Sequence, residues 1–106
     1  MGDMSGRLTA AQTFQGKGGA TITCTPEPGG EKMRADLTQP LDDGSVTHTI
    51  SPEAGKGSVT TVQPNGKRET HSLGEKGSDP IIQQKVARAI DTAQGICRVK
   101  MQSLTP

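Results

Sequence analysis

Ser78-Asp79-Pro80-Ile81-Ile82-Gln83-Gln84-Lys85-Val86-Ala87-Arg88-Ala89-Ile90-Asp91-Thr92-Ala93-Gln94-Gly95 is the stretch in which apolar residues recur at helical spacing. Ile82, Val86, Ala89, Ile90 and Ala93 fall on one stripe, with Gln84, Arg88 and Asp91 opposite. Ser78 or Asp79 supplies an amino-terminal cap, and Pro80 suits the first helical position, where a missing N–H costs nothing. Gly95 is placed to stop the helix in a left-handed C′ conformation. The spacing therefore predicts a helix over 80–94. A single apolar stripe must be laid against another element, and everything before it reads as strand.

From about residue 7 to 73 the apolar residues alternate with polar ones. Leu8, Ala10, Gln12 and Phe14 share a first strand face. Ala20, Ile22 and Cys24 alternate with Thr21, Thr23 and Thr25, and Pro26-Glu27-Pro28-Gly29-Gly30 ends that strand. Met33, Ala35 and Leu37 alternate with Lys32, Arg34, Asp36 and Thr38. Val46, His48 and Ile50 oppose Thr47 and Thr49, which puts His48 on an apolar face. Residues 59–62 and 67–73 flank Pro64-Asn65-Gly66, the signature of a three-residue hairpin whose last member is left-handed. After Gly95, Cys97, Val99 and Met101 alternate with Arg98, Lys100 and Gln102, which reads as a closing strand. The fold expected is α+β: a small antiparallel meander of about five to seven strands, one helix over about 80–94 packed on one face, then a final strand. An all-β sandwich would leave the helical stripe without a role. Residues 1–106 read as one small domain, with 1–6 and 103–106 expected to be disordered.

Composition narrows the function classes. Hydrophobic residues make up 29 % of the chain, Phe14 is its one aromatic residue, and there are 14 glycines and 7 prolines. A chain this poor in large side chains builds a thin core and no aromatic-lined pocket. Its charge is balanced, 12 basic against 11 acidic residues, which argues against wholesale disorder. Neither a basic face nor stacking residues exist for nucleic acid. No stretch approaches the length of a membrane span, and the residues after Met1 lack the basic and apolar regions of an export signal. Gly6 stands where a myristoylation motif needs Ser or Thr.

Cys24 lies on the apolar face of an early strand, and Cys97 opens the segment after the helix. A disulfide between them is where a small, thin-cored domain gains most; two buried thiols acting as small hydrophobes are the other reading. His48 and His71 could join the cysteines at zinc, but no C-x₂-C or H-x₃-H pair anchors such a site, so no metal and no cofactor is expected. Gly16-Lys17, Gly55-Lys56 and Gly66-Lys67 lack the frame of a phosphate-binding loop. Asp42-Asp43 reads as a turn and not as a calcium loop. No nucleophile or metalloprotease motif is present.

The expectation is a small non-enzymatic protein-interaction domain, with Asn65, Lys67 and Arg68 of the hairpin as its contact candidates. A periplasmic or secreted bacterial setting is favoured. The alternative is a cytosolic inhibitor or accessory protein, carried by a phage or other mobile element, that binds one protein partner. A small enzyme using His48 or His71 is the weakest reading. The partner expected is a protein, with neither nucleic acid nor membrane insertion.

Overall fold

The computed structural model describes residues 10–27 and 32–104. The expectations for residues 1–6, for Leu8 and for the last two residues of the tail lie outside the described residues. Six strands form one antiparallel meander: β1 (Gln12–Gln15), β2 (Thr21–Pro26), β3 (Met33–Pro40), β4 (Val46–Ser51), β5 (Ser58–Val62) and β6 (Arg68–Ser72). One helix, α1 (Pro80–Gln102), packs across β2 to β6 on one face of that sheet. This is the α+β meander that the alternation and the helical stripe predict.

Two of the connecting hairpins use the same turn. Leu41 N–H donates to Ser45 O and Gly44 N–H to Leu41 O; Gln63 N–H donates to Lys67 O and Gly66 N–H to Gln63 O. Gly44 and Gly66 hold φ of 88° and 87°, the left-handed conformation that glycine adopts at no steric cost. Asp43 and Asn65, each preceding its glycine, accept from the N–H two residues on. That hydrogen bond from Ser45 holds the Asp43 carboxyl below the ordinary value.

The helix starts as its sequence dictates. Asp79 Oδ1 accepts from Ile81 N–H at 2.7 Å, and Pro80 occupies the first turn. It does not end at Gly95, and residues 97–101 are its last turns instead of a closing strand. Gly95 is absent from the left-handed glycines. The reason is that Cys97 and Met101 extend the buried stripe of Val86, Ile90 and Ala93 at i, i+4 spacing, while Val99 turns to solvent at 65 % exposure. Burial of that extra turn and a disulfide outweigh the roughly 1 kcal/mol a mid-helix glycine costs. Ser103 and Leu104 close the helix in a hydrogen-bonded turn.

Register decides which face each strand buries. Ile22 pairs with Leu37, Cys24 with Ala35, Leu37 with Thr49 and Ala35 with Ser51, so these residues share the helix-covered face. The buried core is made of small and medium side chains, including Ile22, Cys24, Ala35, Leu37, Ile90, Ala93 and Cys97. On β4 the covered positions are Thr49 and Ser51, and the face holding Val46, His48 and Ile50 is the uncovered one. This reverses the apolar-face placement expected of His48, which is exposed opposite Thr38 and Thr60. A hydroxyl face suits what lies over it: Gln94, buried on α1, donates to Ser51 Oγ at 2.9 Å and to Met33 O at 2.7 Å. The uncovered face is threonine-rich, with Thr13–Thr23 and Thr60–Thr70 hydroxyl contacts of 2.9 and 2.8 Å between neighbouring strands.

Candidate functional site

The centre of the layer is covalent. Cys24 on β2 and Cys97 on α1 are joined by a disulfide, with Cα atoms 5.5 Å apart, both fully buried. Two packing observations bring them together: Cys24 sits on the covered face of β2, and Cys97 lies one helical turn beyond Ala93 on the buried stripe. The pair is spent as a structural bond, so neither sulfur is a nucleophile or a thiolate ligand. The two histidines are not brought together. His48 stands on the open face of the sheet and His71 on the helix side, and no group of three metal-ligating residues assembles among the described residues.

Two grooves flank α1 where the helix leaves the sheet partly uncovered. The first, about 370 Å³, lies between β4–β6 and the amino-terminal half of the helix, with Val59, Ile82 and Val86 as its apolar lining and His71, Glu69 and Lys85 among its charged residues. His71 Nε2 is 3.1 Å from Glu69 Oε1, and Nδ1 is 3.4 Å from Glu75 Oε2. A protonated ring donates both N–H groups and satisfies both carboxylates, so the hydrogen bond with Glu69, then that with Glu75, raises the His71 pKa above 6.5. When protonated, with both nitrogens engaged, the ring is a cationic tether joining β6 to the segment that leads into α1.

The second groove, about 250 Å³, lies at the other end of the sheet beside Phe14, Ile22, Leu37 and Ile96, with Lys17 and Lys100 among its lining. It runs into an apolar shelf of Gly95, Ile96 and Val99 on the outer flank of the helix. The sequence-predicted contact residues Asn65, Lys67 and Arg68 all sit exposed at the β5–β6 hairpin, outside both grooves. Neither groove was found from sequence. Gln94 was the clearest missed signal, because it falls on the helical stripe four residues after Ile90 and three before Cys97, a polar residue where only a buried partner makes sense.

Comparison with protein-family models, with curated proteins and with solved structures finds no match for the chain. The class the geometry defines is a disulfide-pinned antiparallel meander roofed by one helix. Among the described residues, no helix is long and apolar enough to cross a membrane.

Proposed function

We propose that the chain is a non-enzymatic protein-binding domain working in an oxidising, extracytoplasmic space such as the periplasm or the exterior of a bacterial cell. The observation that carries this reading is the buried Cys24–Cys97 disulfide, which joins the sheet to its roof in a core of few and small side chains. Such a bond persists where thiols are kept oxidised, and small domains with thin cores depend on it. Binding over catalysis is favoured by the surface: the His71 ring is held between two carboxylates, while the hairpin at Asn65, Lys67 and Arg68 is exposed on a hydrogen-bonded turn.

Thiol trapping in the native host, read by intact mass, tests the compartment. Cys24 and Cys97 are expected to be protected from alkylation; a reduced, alkylated pair would point to the cytosol and favour the alternative of a cytosolic accessory protein. Charge reversal at Lys67 and Arg68 tests the hairpin. Loss of partner capture with an unchanged circular dichroism spectrum assigns the contact to it, and unchanged capture removes it.

A further inference from the structure

A meander has two free edges, and this one treats them differently. Along β6 the ladder bonds Gln63 N–H to Lys67 O and Leu73 N–H to Gly57 O direct the odd-numbered residues toward β5, so Arg68, Thr70 and Ser72 turn their main-chain groups outward. The far end of that edge is already taken. Gln83 of α1 donates from Nε2 to Ser72 O at 2.9 Å and accepts from Gly74 N–H at 2.7 Å, standing in for a neighbouring strand. Charged Arg68, Glu69 and His71 blunt the remainder.

Among the described residues, the β1 edge has neither protection. Gly16 N–H donates to Ala20 O, which directs the even-numbered residues of β1 toward β2 and leaves the N–H and C=O of Thr13 and Gln15 facing outward. No charged residue lies on β1, and no side chain among the described residues bridges its outer edge. On the helix side, the groove beside Phe14 and Ile96 opens next to this strand. Lys17 and Lys100 are the charged residues of that groove, and neither forms an ion pair among the described residues. Backbone and two cations without partners among the described residues, with an apolar slot on one side, together define a receptor for one kind of ligand.

We propose that the β1 edge receives, as a seventh strand, an extended segment of a partner protein that carries alternating apolar side chains and an acidic residue. The segment's main chain pairs with Thr13 and Gln15. Its inward side chains fill the groove beside Phe14 and Ile96, and its carboxylate meets Lys17 and Lys100. This inference rests on the binding-domain reading above but names a surface different from the hairpin.

The test uses the full-length chain and a labelled Glu-Val-Thr-Val-Thr-Glu peptide, with a version N-methylated at alternate amides and a Lys-for-Glu version as controls. Fluorescence anisotropy gives the affinity, and amide chemical shifts locate the contact. Binding that perturbs the Thr13 and Gln15 amides is expected. It should weaken at least about tenfold with the Lys peptide or in Lys17→Glu/Lys100→Glu, and disappear with the N-methylated peptide. Gln15→Pro removes an outward N–H while leaving the β2 ladder intact, and should also abolish binding. Affinity indifferent to all of these changes, or shifts confined to β6 and the hairpin, overturns the proposal. So does a concentration-dependent dimer broken by Gln15→Pro, which would make a second copy the occupant. Peptide binding seen only after removal of residues 1–9 would give the edge to the chain's own segment. Any of these failures leaves hairpin-dependent capture and the thiol state of Cys24 and Cys97 as independent tests of the binding-domain reading.

Discussion

Gln94 and His71 show two ways a polar side chain is held in this thin layer. The Gln94 amide serves Met33 O and Ser51 Oγ from inside the sheet–helix interface, where water cannot replace it. Gln94→Leu keeps the size and the helix propensity but removes the donor to Met33 O and Ser51 Oγ, and should cost about 1–3 kcal/mol in urea denaturation. Adding Ser51→Ala to that variant should cost further stability, since the Ser51 hydroxyl also donates to Glu53 O at 2.8 Å. His71 is partly exposed, and its effect lies in pH dependence. Glu69 and Glu75 raise its pKa in the fold, while Lys85 lines the same groove. Its contribution to stability is therefore complete below the unfolded value of 6.5 and is lost as pH rises through the higher folded value. Thermal melts should show wild type gaining over His71→Gln on the acid side of neutrality, with the difference shrinking toward pH 8.5. A gap that widens with rising pH would contradict the arrangement.

Among the elements, α1 is the one whose local sequence and tertiary role disagree. Gly95 lies in its interior, and a Cβ placed there meets nothing within 4 Å. Gly95→Ala should therefore stabilise the protein by about 1 kcal/mol, by removing backbone entropy from the unfolded chain and adding no clash. A rise in the chemical-denaturation midpoint at constant m-value checks this. A loss of stability would mean that Gly95 ends the helix after all. Gly57 offers the contrast, because its φ is 143° and a Cβ there would collide with the Ile50 carbonyl. The two glycines serve opposite purposes: one holds a turn no other residue can enter, the other is merely tolerated.

The whole molecule depends on the bond between its two layers. Cys24 and Cys97 are 73 residues apart in sequence, so the disulfide removes a large loop-closure entropy from the unfolded chain, about 4 kcal/mol by the chain-entropy argument. A domain of this size has only about 5–15 kcal/mol of net stability, and a core of alanine, cysteine, valine and isoleucine with one leucine and one methionine leaves this one little reserve. Cys24→Ser/Cys97→Ser, or wild type under reductant, should lose most of its stability in guanidinium titration and approach unfolding at physiological temperature. A loss below about 1 kcal/mol would show that the packed layer holds without its staple.

Local chemistry was enough to write the six strands and the start of the helix. Alternation marked the strands of the meander, Pro64-Asn65-Gly66 specified its turn, Asp79 and Pro80 set the helix start, and Ile82 to Ala93 set its buried stripe. Each of these depends on neighbours a few residues away, which is the range over which sequence acts directly. Three features needed the third dimension. Cys97 to Met101 fit an alternating strand and a helical face equally well as a string, and only the bond to β2 and burial against the sheet separate them. On β4, both faces alternate in step, so cross-strand register alone puts Thr49 and Ser51 under Gln94 and leaves His48 in solvent. The groove beside Phe14 joins residues of separate elements, and no local pattern encodes such a meeting. Sequence determined the pieces because their preferences are short-range; folding decided which surfaces meet, because burial is shared between partners distant along the chain.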